Sequence, residues 1–156
     1  MALRTVILWV HVLCGVVWVA ASASIALAAV ALSGEPEEWT NFATRSVPRI
    51  NRVCVGAASV IPVTGIANLA FVARSYRGTL PAPFIAILSA KVAIFAAMAA
   101  ALWAAWGAGS AIEARGASRE GGGNSAASVR KLIALYATIV ILGATALGLG
   151  LWLSGT

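Results

Sequence analysis

The chain has 156 residues, of which 61% are hydrophobic and only 10% charged, and its mean hydropathy is +0.93. A soluble domain carries about 25% charged residues and about 45–50% apolar ones, so this composition excludes an ordinary soluble domain and points to an integral membrane protein. The net charge of +6 is spread over the loops, reads as membrane topology, and gives no nucleic-acid partner.

The first apolar segment sets the class. From Thr5 to Ser33 there is no Asp, Glu, Lys or Arg, and an apolar run of 18 or more residues reads as a transmembrane helix. Arg4 and the small residues Ala20-Ala21-Ser22-Ala23 resemble parts of a cleavable signal peptide. The run is about twice as long as the roughly 7–15 residues of a signal core, however, so a first span over about 5–33 is expected.

A polar connection follows, with Glu35-Pro-Glu-Glu38 and then Arg45, Arg49 and Arg52. Trp39 and Phe42 give it the pattern of an amphipathic element on the membrane surface. The second span is expected over 53–73, closed by Arg74 and Arg77. The third, over 83–107, starts after Pro81-Ala-Pro83. Residues 108–129, with Gly121-Gly-Gly-Asn124, are polar and glycine-rich and read as a flexible loop. A fourth span, 131–153, follows Arg130-Lys131. Each meets the ~20 residues that a ~30 Å hydrocarbon core demands. The abundance of Ala and Gly in spans three and four allows close helix approach. The expected fold is a single all-α membrane domain, a four-transmembrane-helix bundle.

Orientation follows from the basic residues. Arg45, Arg49, Arg52, Arg115, Arg119, Arg130 and Lys131 flank the first and third connections, against Arg4, Arg74 and Arg77 on the other side. Seven against three places those connections in the cytoplasm and both termini on the periplasmic side of a bacterial inner membrane. Cys14 and Cys54 then lie at different depths, too far apart for the ~7 Å Cα separation that a disulfide tolerates.

Within this frame the polar residues of the spans fall at similar depths. At ~1.5 Å per residue, His11, the only histidine, lies roughly 10 Å below the outer surface and Lys91 roughly 12 Å. Asn68 lies at roughly 9 Å with Thr64 one turn below, and Thr145 at roughly 13 Å. A lysine near the helix centre costs ~2.5–3.5 kcal/mol, so it turns to the bundle interior or a wet cavity and marks a functional candidate. The alternatives are snorkelling for Lys91 and interhelical hydrogen bonding for Asn68, Thr64 and Thr145. His11, Gly15, Trp18 and Ser22 share one helical stripe. His11 is either a neutral imidazole bonded to a backbone carbonyl or a threonine, or an axial ligand to haem, with Gly15 giving space for a porphyrin edge. One His with scattered Cys14, Cys54 and Met98 does not make a zinc site, and too few soft ligands share one depth for copper.

The first-helix His followed seven residues on by Trp18, the basic lead Arg49-Ile-Asn-Arg52 into a helix carrying Thr64-Gly65, and Ser89-Ala-Lys91-Val together resemble a family. It is that of small bacterial four-helix membrane proteins related to the HemJ-type protoporphyrinogen oxidase and the membrane domain of copper-resistance protein D. The resemblance covers roughly residues 3–106; the fourth span matches only in being apolar. It implies a haem b site with His11 as axial ligand and Lys91 as a second essential polar group. After Trp18 the chain departs from the HemJ type, with Val19-Ala-Ala-Ser22 in place of an aromatic and arginine-bearing continuation.

The leading expectation is therefore a haem b-binding inner-membrane protein of redox character, in porphyrin oxidation or electron transfer. His11 would hold the metal, with Gly15 and Trp18 beside the cofactor. Lys91 and Asn68 are the candidate catalytic groups, and Arg74 and Arg77 the candidate propionate partners. Because each chain has one histidine, two-histidine ligation requires a homodimer; otherwise Lys91 or an open position completes the iron. A non-catalytic subunit of a larger membrane complex and a copper-handling protein are the alternatives. Every acidic residue lies in a loop, which excludes carboxylate acid–base chemistry within the membrane.

Overall fold

The computed structural model describes residues 2–117 and 125–155. Five helices follow one another: α1 (Ala2–Ala31), α2 (Pro36–Arg45), α3 (Val47–Ser75), α4 (Ala82–Ala117) and α5 (Ser125–Gly155). Four of them contain stretches long and apolar enough to cross a membrane, namely Ala2–Ala31, Val47–Ser75, Ala82–Gly107 and Val129–Gly150. Lipid offers no hydrogen bonds to a bare backbone, so even valine- and isoleucine-rich runs become helical here despite a modest intrinsic preference.

The helix ends differ from the hydropathy boundaries in three places. The helix of span two begins at Val47 rather than near residue 53, because Arg49, Asn51 and Arg52 continue the helix beyond its apolar part. Residues 36–45 form a separate helix with Pro36 in its first turn and Glu37 and Glu38 near its N-terminus, where both proline and negative charge are favoured. Helix α4 runs on to Ala117 and α5 begins at Ser125. The expected loop over 108–129 therefore shortens, since Ala111-Ile-Glu-Ala-Arg115 consists mostly of good helix formers; Arg119 and the glycine run 121–123 lie outside the described residues. Past the end of α3, Arg77 (φ 53) and Gly78 (φ 88) adopt left-handed conformations, and the Gly78 amide donates to the Ala73 carbonyl at 2.9 Å. This is the usual way of satisfying the last carbonyls of a helix.

Helix α1 packs between α3 and α5, α4 packs on α5, and α3 touches α4 only sparsely. Glycines fix the register. Gly15 faces Leu147, and Gly143 faces both Val19 and Met98, so α5 runs antiparallel to α1 and α4. Farther along, Gly150 faces the Lys91 ammonium. A side chain at 143 would collide with Val19, so the closest approach of the three helices depends on this glycine.

That register divides the bundle into two unlike halves. Every buried residue among those described falls level with Trp18 or closer to α2. These include Ile25 and Ala29 of α1, Cys54 of α3, Met98 and Leu102 of α4, and Leu132, Tyr136 and Ile139 of α5. Trp18 meets Phe95 edge-on with ring centroids 5.7 Å apart. The half towards the two termini has no fully buried residue among those described. One half is a packed core; in the other, the described residues are at most half-buried, so it is the looser half among the described residues.

Candidate functional site

His11 lies in the loose half. Its Nδ1 stands 2.9 Å from Thr64 Oγ1 and 3.1 Å from the Ile61 carbonyl oxygen. The Thr64 hydroxyl donates its own proton to the carbonyls of Val60 (2.9 Å) and Ile61 (3.1 Å). With that proton committed, Thr64 can only accept from the imidazole, and the Ile61 carbonyl is an acceptor in any case. Both contacts therefore require a proton on Nδ1, which fixes the neutral tautomer and leaves the Nε2 lone pair unused by any hydrogen bond among the described residues.

The ring lies beside Gly65, where a side-chain carbon would come to 3.4 Å from His11 Cε1, at the edge of ordinary van der Waals contact. In the Thr64-Gly65 pair, Thr64 orients the imidazole and Gly65 leaves room beside it.

Lys91 comes from α4 at the same level. A side-chain carbon at Gly150 would sit 3.1 Å from its Nζ, so the ammonium rests over a bare stretch of α5. The structure sets His11 against Thr64, not against Asn68, whose counted depth is nearer its own. Asn68, one turn beyond Thr64 on α3, is half-buried, while Arg74 and Arg77 are exposed at the end of that helix.

The other candidates are placed differently. Gly15 faces Leu147, which a side-chain carbon at position 15 would meet at 3.8 Å, an ordinary van der Waals contact. Trp18 is sealed in the packed half at 1% exposure, about 10 Å along the helix from His11. Thr145 is exposed, bonds its own helix through the Ile141 carbonyl at 2.9 Å, and lies nearer the level of Gly143 than that of Gly150. It does not belong to the His11 layer.

A second polar cluster, absent from the sequence reading, occupies the packed half. The Tyr136 hydroxyl donates to Asn51 Oδ1 at 2.8 Å, tying α5 to α3 with both side chains buried. Ser22 and Cys54 lie beside each other within the same core, although the Ser22 hydroxyl makes no well-formed hydrogen bond and neither does the Trp18 indole nitrogen. Both cysteines are free thiols. The signal that would have found this cluster is the same depth alignment that found His11 and Lys91, applied to the other leaflet.

Among the described residues no three His, Cys, Asp or Glu side chains converge. The chain therefore does not build a chelating site for a bare metal ion from those residues. A group that brings its own four equatorial nitrogens asks less of the protein, since one imidazole suffices. His11 suits that demand, because a ligating histidine typically donates its other ring N–H to a carbonyl or another acceptor. No protein-family model matches this chain, and neither does any curated protein or solved structure.

Proposed function

We propose that this chain is a multi-pass protein of the bacterial inner membrane that binds haem b and works in redox chemistry, with kinship to the HemJ-type and copper-resistance D membrane proteins. The observation that carries the reading is the commitment of His11 Nδ1 to Thr64 and Ile61 in the loosely packed half of the bundle. It leaves Nε2 in the tautomer that would hold a haem iron. The haem would supply one-electron chemistry at its iron.

The remaining roles belong to the chain's own residues. Thr64 and Ile61 hold the imidazole in one orientation. Lys91 provides a cation at the level of His11 and, as an ammonium, would donate a proton or hydrogen bond from Nζ to a bound cofactor. Asn68 supplies an amide one turn nearer the surface. Arg74 and Arg77, with Arg4 at the start of α1, are exposed cations at the same end, suited to carboxylates that reach the interface.

The test is a visible spectrum of protein purified in detergent from cells supplied with haem, oxidised and reduced, beside His11→Ala. A Soret band that disappears in the variant is the expected result. Colourless native protein, or a band that survives in His11→Ala, overturns the reading.

A further inference from the structure

We propose that the protein carries a specific site for an anionic phospholipid on the outside of the α1–α3 pair, in the leaflet that borders the connection between these helices. Two observations meet there. The first is a shallow groove between the two helices, lined by Leu13, Cys14 and Val17 of α1 and by Val53, Gly56 and Val60 of α3, almost wholly apolar. A side chain at Gly56 would meet nothing within 4 Å, so the groove is deepened by an absent side chain rather than by loose packing.

The second is what lies at the groove's end. Arg49 precedes Val53 by four residues, and Arg52 precedes Gly56 by four. On a helix this spacing puts each arginine one turn, about 6 Å, beyond its partner on the same ridge. Arg45 closes α2, just before α3 begins at Val47. All three arginines are exposed, and none is paired with a carboxylate among the described residues.

An apolar channel that ends in exposed guanidinium groups matches one class of membrane component. From Val53 to Val60 the groove covers about 10 Å of helix, two thirds of the ~15 Å hydrocarbon depth of one leaflet. An acyl chain lies along it, and the phosphate of the same molecule reaches Arg49 and Arg52, which form paired, planar hydrogen bonds to phosphate oxygens. A lipid with net negative charge is preferred, because a choline group would place a second cation beside the arginines. The site stands apart from His11, whose ring is turned to Thr64 on α3.

Native mass spectrometry of the detergent-solubilised full chain tests this by titration with phosphatidylglycerol and phosphatidylcholine of equal chain length, and with glycerol 3-phosphate as the headgroup alone. We expect phosphatidylglycerol to bind at least tenfold more tightly than phosphatidylcholine. Arg49→Gln with Arg52→Gln should weaken it about thirtyfold. Gly56→Leu fills the groove on a helix that tolerates leucine better than glycine, and should weaken both lipids severalfold while keeping the preference for the anionic one. Equal binding of the two lipids, native-like binding by the double arginine variant, or no effect of Gly56→Leu overturns the proposal. So does glycerol 3-phosphate binding as tightly as the lipid, which would make the site one for a soluble phosphate.

Discussion

Replacing Tyr136 with Phe tests whether the α2-side half holds the bundle together. The ring is fully buried, and Phe keeps its volume, so no cavity forms. What is lost is a single bond of 2.8 Å to Asn51 Oδ1, and that oxygen stays buried without its donor. A stranded buried acceptor costs ~1–3 kcal/mol in a soluble core. Interhelical hydrogen bonds in bilayers average ~0.6 and reach ~1.7 kcal/mol, because the unfolded chain also finds partners there. Both groups here lie in the dry interior, so the upper part of the membrane range applies, about 1–1.5 kcal/mol. Asn51→Leu should cost a similar amount by stranding the tyrosine hydroxyl. The double variant Tyr136→Phe with Asn51→Leu should lose less than the sum, with a coupling of about 1 kcal/mol. Reversible unfolding in mixed micelles by added anionic detergent, followed by tryptophan fluorescence, measures all four proteins. Additivity within about 0.3 kcal/mol would refute the reasoning, since it would mean that the two groups do not share a bond.

Three further outcomes follow from the geometry. Gly143→Ala places a carbon into Val19 and within 3.2 Å of Met98. Because Val19 is β-branched and stiff on a helix, this should cost about 1–3 kcal/mol of bundle stability in the same unfolding assay, while Gly148→Ala, with nothing within 4 Å, should cost nothing. Thr64→Val preserves shape but leaves the His11 Nδ1 proton only the Ile61 carbonyl, so haem affinity measured by Soret titration should fall about 10–100-fold; native affinity would remove Thr64 from the site. Lys91→Met removes a cation near the proposed iron, so the midpoint potential should fall, while resistance to unfolding should stay level or rise as a half-buried charge is lost. An unchanged potential at low ionic strength would place the ammonium outside the reach of the cofactor.

Much of this organisation is written in residue type and spacing, but unequally. The four spans follow from hydropathy, because lipid leaves the backbone few choices. The depth of His11 and Lys91 follows from counting residues, since rise per residue is constant, but counting matches His11 with Asn68 and leaves Thr64, its actual partner, one turn deeper. What counting cannot supply is rotation and pairing: Thr145 has a similar counted depth, yet faces outward and bonds its own helix. The Tyr136–Asn51 pair was hidden for another reason. Asn51 sits between Arg49 and Arg52 and reads as interface, whereas the helix turns its side chain into the core and both arginines out. Hydropathy averages over a window and loses that rotation; the spacing of Asn51 and Cys54, three apart and both buried, preserves it.

The two halves of the bundle make opposite use of polar groups. On the α2 side, Tyr136 and Asn51 satisfy each other within a core containing Trp18, Ile25 and Ile139, so their polarity goes into fixing helix register. Towards the termini, His11 is bonded at one nitrogen only, among the described residues, and Lys91 rests over a glycine with no side chain to pair it. If Lys91 served only to fasten helices, a neutral partner of the Asn51 kind would do so without the insertion cost of an ammonium. A bundle already fastened at one end can hold, at the other, polar groups whose bonding capacity is only partly used among the described residues. This arrangement is the one expected of a site built to receive a group from outside the chain, and it is why His11→Ala and Lys91→Met should change spectra and potentials while Gly143→Ala and Tyr136→Phe should change stability.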